Sequence, residues 1–269
     1  MTNQDTKYDV KNILENQMPY LVKLLNGKNI SWTKINRNLK KHLQLKKENC
    51  NNGELVDVNI FSLIIQFILE NENSFGMFDF YNSTFKQLFY MLTDKELEFT
   101  HKMIKCLLTN FDYKYLNFIG EVATLNAYMS SGNFELLNIE EKIYLHNNVQ
   151  ADLFLKRKID GQKFLVEIVN IHLENKDFTT IDEMELFIGG KFNEKHKKTF
   201  FDSPLHNLTI QPVIWTNTIE QIKLLEKVFI KYEEKVKDIR IPMCYLTFKD
   251  SDGNYEHRFE YITTILNDN

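Results

Sequence analysis

The stretch VQADLFLKRKI (149–159), Asp160-Gly161 and QKFLVEIVNIH (162–172) decides the fold. Both runs are rich in β-branched and aromatic residues, which fit a pleated, half-buried surface. An Asp-Gly pair between two such runs is the strongest short-range hairpin signal, because these residues tolerate the positive φ of a tight turn. The pattern therefore predicts two antiparallel strands joined by Asp160-Gly161 as a two-residue loop. Ile159 then faces Gln162, Asp152 faces Val169 and Phe154 faces Glu167. Side chains of one parity share a face along a strand. Asp152, Phe154, Glu167 and Val169 are thus expected on one face, with the two acids as diagonal neighbours roughly 7–8 Å apart between backbones and less between their side-chain ends.

Downstream, residues 181–200 read as a helix, TIQPVIW (209–215) as a strand and 218–237 as a long charged helix. IPMCYLTF and HRFEYITTIL, around Asp252-Gly253, are expected to form a second hairpin. Upstream, LNFIGEVATLNAYMSS (116–131) reads as a helix with Gly132 as its C-terminal cap. Thr93 and Glu96 form a capping box ahead of a helix over 93–111, residues 59–70 a buried apolar helix, and Ser31 caps a further helix. The expected organisation is a helical N-terminal region, 1–115, followed by a mixed α/β domain over 116–269.

Composition narrows the function classes. A chain of 269 residues, 43% hydrophobic and 13% aromatic, has ample material for a core, which excludes a disordered chain. Thirty-three Lys and Arg against 37 Asp and Glu give a net charge of −4, which excludes a uniformly basic nucleic-acid coat but leaves room for local basic patches. Cys50, Cys106 and Cys244 are widely spaced, so neither a disulfide framework nor a thiolate zinc site is indicated. The polar start lacks a signal-peptide core, and VNIFSLIIQFIL (58–69) is about half the length that spans a bilayer. A soluble, cytoplasmic protein without a membrane partner is the expectation.

Asp152 in ADLFL and Glu167 in FLVEIV lie within strands that are apolar on both faces. Two like charges in such a place are costly unless a cation or basic groups neutralise them. The functional reading is a divalent cation gripped by both; the plain one is strand-end acids that reach solvent or pair with Lys156. Glu121 lies on an apolar side of the 116–131 helix, with Phe118, Leu125 and Tyr128 at helical spacing, or else on an exposed flank.

A helix glutamate, an aspartate at a strand start and a glutamate in the next strand, here Glu121, Asp152 and Glu167, together resemble the PD-(D/E)xK nuclease superfamily. The element order over 116–248 is similar to that superfamily's αβββαβ, restriction-endonuclease-like core with its mixed central sheet. The resemblance covers about half the chain. It implies metal-dependent phosphodiester hydrolysis, of DNA more than RNA. Asp152, Glu167 and the backbone carbonyl of Ile168 would bind Mg²⁺ or Mn²⁺, with Glu121 completing the shell directly or through water.

One position departs from the pattern. The superfamily's lysine belongs two residues after the glutamate, where this chain has Val169; Asn170 points to the opposite face. The following helix offers replacements. At 100° per residue Met184, Phe187, Ile188, Lys191, Lys195 and Lys198 form one stripe, which sets Lys191 and Lys195 on the inward side. Lys195 is placed ahead of Lys191 as the catalytic lysine because it is farther from Gly189-Gly190; the plain reading is that these glycines break the helix and both lysines reach solvent. The alternative is a nuclease-like domain without catalysis that serves as a nucleic-acid-binding or protein-assembly module.

Other signals are weaker. Lys34, Arg37, Lys40, Lys41, Lys46 and Lys47 have no acid between them, and Lys195, His196, Lys197 and Lys198 form a second basic stretch. Either would suit a phosphate backbone or simply face water. The helical region is assigned to recognition or to formation of a homodimer. His146 precedes Asp152 and is a distant candidate for the site, His172 reads as structural, and Trp32 and Trp215 as core residues. No HExxH, GxSxG or phosphate-loop sequence occurs.

Overall fold

The computed structural model describes residues 9–25, 30–50, 60, 64, 72–109, 115–146, 148–173, 176–199, 204–216, 218–233, 242–249 and 255–267. The chain divides into two compact units, Met1–Val122 and Ala123–Asn269.

The first unit is helical: α1 (Val10–Gln17), α2 (Pro19–Leu24), α3 (Trp32–Cys50), α4 (Glu72–Met91), α5 (Asp94–Thr109) and the opening turns of α6 (Tyr115–Ser130). Its helix starts follow from local chemistry. The Asp9 carboxylate caps α1 by accepting from the Lys11 amide at 3.1 Å, and Ser31 Oγ accepts from the Lys34 amide at 3.3 Å. The capping box forms as expected, with Thr93 N and Oγ1 both donating to Glu96 Oε2 at 2.8 Å. Of the apolar segment 59–70, Ile60 and Ile64 are buried and helical, and the remainder lies outside the described residues.

The second unit is built on a six-stranded mixed sheet in the order β1 (Phe134–Lys142), β2 (Gln150–Arg157), β3 (Lys163–His172), β4 (Asn207–Thr216), β5 (Met243–Lys249) and β6 (Tyr255–Tyr261). The β3–β4 and β4–β5 pairs are parallel and the others antiparallel. Parallel neighbours need crossover connections, here α7 (Ile181–Thr199) and α8 (Ile219–Glu233). α9 (Ile262–Asn267) closes the unit. From α6 onward the order is therefore αβββαβ followed by αββα, as the sequence leads one to expect over 116–248. β3 and β4 are central, and every residue of β4 after Asn207 is buried. Val169, Ile171, Ile210, Ile214 and Cys244 pack under Met184, Ile188, Phe192, Leu225 and Phe229 of the crossover helices. Gln211, of opposite parity on β4, is buried and accepts a hydrogen bond from the Tyr128 hydroxyl of α6 at 3.1 Å.

The structure corrects two expectations. The β2–β3 connection is longer than Asp160-Gly161: Arg157 N donates to Gln162 O at 2.8 Å, so the loop runs over Lys158–Gly161. The Asp160 carboxylate is drawn into that loop, accepting from the Gln162 amide and from the Arg157 guanidinium. HRFEYITTIL is not one strand, because β6 ends at Tyr261 and Ile262 and Ile265 turn inward on α9. The β-branched ITTI is overridden there by a buried i, i+3 pair. β1, whose FELLNIEEK sequence shows no strict alternation, is an edge strand of nine residues and the first of the three strands before α7.

Among the described residues no helix is long and apolar enough to cross a membrane. Cys106 and Cys244 are free thiols, and burial pushes the Cys244 thiol well above its ordinary range.

Candidate functional site

Two strands set the acids. Leu153 pairs with Val166, so Asp152 and Glu167, one step further along each strand, face each other directly. The longer loop moves the pairing two residues from the expected register, which keeps parity and therefore keeps both carboxylates on one face. The correction brings them closer: directly opposed residues have Cβ atoms about 4.5–5.5 Å apart. Asp152 Oδ2 accepts from the Ile168 amide at 2.6 Å, which fixes the aspartate against the middle of β3.

Glu167 is 4% exposed. Its Oε1 is ion-paired with Lys195 Nζ, while its Oε2 is buried and has no hydrogen-bond partner among the described residues. Lys195 arrives there because α7 runs unbroken through Gly189-Gly190. Met184, Ile188 and Phe192 are buried at successive turns, and Lys195 continues their face at i+3 from Phe192. Lys191 falls on the flank: it is exposed, with its amine 5.8 Å from the Phe187 ring centroid. Lys198 has no described side chain. Val169 is buried within the apolar core, and Asn170 on the other face accepts from Trp215 Nε1 at 2.9 Å.

The electrostatics follow from this packing. Burial raises the Glu167 carboxyl from 4.5 to about 7, aided by the Asp152 charge and opposed by Lys195. Asp152 is also raised, chiefly by burial and further by Glu140, against the lowering influence of Lys195 and the Ile168 amide. Part of the Asp152 side chain reaches the surface, yet surrounding protein still makes desolvation its largest influence. Among the described residues the two acids share the charge of Lys195, and one carboxylate oxygen has no hydrogen-bond partner.

The other candidates are placed as follows. Glu121 is half-buried on α6 and belongs to the first unit. His146 is exposed in the segment after β1. His172 stacks on Trp215 with ring centroids 5.6 Å apart, Trp215 is buried and Trp32 half-buried. Lys34, Arg37, Lys40 and Lys41 are exposed on α3, whereas the side chains of Lys46 and Lys47 lie outside the described residues. Among the described residues no three Asp, Glu, His or Cys side chains are gathered closely enough to hold a metal ion jointly.

Sequence reasoning passed over Glu140 of β1, whose charge acts on Asp152. The signal was faint, since a strand of poor alternation was needed to place it.

No family profile and no curated protein matches the chain. Among solved structures, the Pyrococcus furiosus protein SfsA in complex with Ca²⁺ is similar at 8% identity and a TM-score of 0.23, over 55% of this chain and 62% of that one. The chain spans less than two thirds of that protein, and a likeness at this score defines neither a shared fold nor an activity.

Proposed function

We propose that the Asp152–Glu167 pair is the centre of a divalent-cation-dependent nuclease acting on DNA in preference to RNA. The observation that carries this reading is the buried, partnerless Oε2 of Glu167, set directly across from a second acid and beside an inward lysine. An all-oxygen donor set suits Mg²⁺ or Mn²⁺, which are commonly held by one or two carboxylates with water and a substrate phosphate making up the rest. Asp152, Glu167 and the Ile168 carbonyl would hold the cation. Bound there, it would supply Lewis acidity toward a phosphate oxygen and lower the pKa of a water.

The chain's own residues account for the rest. Glu167, poised near neutrality, presents an ionised carboxylate when a cation replaces its proton. Lys195 fills the role that a lysine at position 169 would have filled: it shares the face of Glu167 and offsets negative charge developing at the phosphate. Asp152, tethered by the Ile168 amide, keeps its carboxylate in register with Glu167. The exposed basic residues of α3 supply positive charge suited to phosphates.

Incubating the purified protein with linear, circular and single-stranded DNA and with RNA tests this reading. Cleavage is expected with Mg²⁺ or Mn²⁺ and not with EDTA. Binding of nucleic acid without cleavage under any of these ions would favour instead the non-catalytic module that the buried Val169 suggests.

A further inference from the structure

Glu140 is the described non-glycine residue with a positive φ, 55°. A side chain in that left-handed region crowds its own backbone, so the conformation persists only where the surroundings impose it. It lies in β1 just beyond a register shift between Leu136 and Asn138. Bulges of this kind re-aim neighbouring side chains and are enriched beside active sites. Asn138 pins the distorted segment, donating from Nδ2 to Glu141 at 2.6 Å and accepting from the Ile139 amide at 2.9 Å.

The register places the distortion. Ile139 pairs with Leu153 and Glu141 with Ala151, so Glu140 of β1 lies across from Asp152 of β2. Asp152 in turn lies across from Glu167. Three acids thus occupy one row across three adjacent strands, at the edge, the second position and the centre of the sheet. Like charges directly opposed across strands repel; Glu140 acts on Asp152 in this sense, and Lys195 is ion-paired with Glu167 and also acts on Asp152. The buried Oε2 of Glu167 lacks a hydrogen-bond partner among the described residues, an independent sign of a missing positive group.

We infer that Glu140 is the outer acid of a divalent-cation site whose direct ligands are Asp152 and Glu167, holding the cation's water rather than the cation itself. Mg²⁺ and its analogues keep several waters, and the acid that orients one of them needs to face the site without entering it. The inference rests on the cation reading of Asp152 and Glu167 and assigns Glu140 a positioning role within it.

Mn²⁺ binding, measured by electron paramagnetic resonance of the free ion at pH 7.5, tests it without relying on cleavage. The wild-type chain is expected to bind one Mn²⁺, and Glu140→Gln to bind it roughly 10–100-fold more weakly with unchanged thermal unfolding, the size of effect typical of outer partners. Glu140→Gly, which accepts the positive φ without strain, is expected to fold and to show the same weakening. Wild-type affinity retained in Glu140→Gln and Glu140→Gly overturns the assignment and leaves the Asp152–Glu167 site intact. Absence of Mn²⁺ binding in the wild type overturns the cation reading itself, and the role of Glu140 with it.

Discussion

Lys195 of α7 is ion-paired with Glu167 of β3, although the end of β3, a loop and most of α7 separate the two residues in sequence. Replacing Lys195 by Ala removes the cation nearest to Glu167, so its carboxyl rises further above about 7 and resists ionisation. Cleavage is expected to fall on the order of 10²–10³-fold, with the acid limb of the pH–rate profile displaced upward. Lys191→Ala, on the exposed flank over Phe187, is expected to leave both the rate and the profile unchanged.

Stability should depend on pH through Glu167. Its folded pKa of about 7 lies above the ordinary 4.5, so folding favours the protonated form. The contribution is fully present below pH 4.5 and is lost as pH rises through about 7. At about 1.4 kcal/mol per unit, the loss across this window is on the order of 3 kcal/mol. Urea titrations of the cation-free protein at pH 5 and pH 7.5 should show the fall, and Glu167→Gln should remove most of it.

The same shift governs affinity for a cation. A proton and a divalent cation compete for Glu167, so Mn²⁺ affinity should strengthen as pH rises from 6 toward 7, by up to about tenfold per unit, and level off above the Glu167 pKa. Calorimetric titration at pH 6, 7 and 8 measures this directly. A flat profile would place the cation elsewhere.

Val169 shares the face of Glu167 but is buried under α7 and α8. Val169→Lys in the wild-type background should cost about 2 kcal/mol or more, because it carries an ammonium into an apolar core. In the Lys195→Ala background, the introduced amine shares Glu167's face, and part of the lost cleavage should return. Denaturation and single-turnover rates on the same preparations separate the two effects.

Gly161 has a φ of 69°, and a Cβ there would meet nothing within 4 Å. Gly161→Ala should therefore destabilise the hairpin through backbone strain alone, by about 1–2 kcal/mol. Thermal unfolding checks this, and Gly161→Asn, better suited to the left-handed region, should cost less.

The order of elements was legible because Asp-Gly, the apolar strands and the capping box are local signals. So were the shared face of Asp152 and Glu167 and the inward turn of Lys195, since parity and helical period survive small errors of register. The direct opposition of the two acids was not legible. It depends on the Asp160 carboxylate capturing Arg157 and Gln162 and lengthening the loop. Glu140 was hidden for a different reason: its strand lacks alternation, and its position is set by a bulge and a left-handed backbone that no spacing rule announces. Lys191 and Lys195 were indistinguishable by period alone, and the burial of Phe192 rather than Lys191 separates them.

The most direct test is single-turnover cleavage of DNA in Mg²⁺ by Asp152→Ala and Glu167→Ala, each compared with wild type after circular dichroism shows that the fold is kept. Both substitutions are expected to abolish cleavage. Cleavage surviving in either one would contradict the assignment of this pair as the catalytic centre.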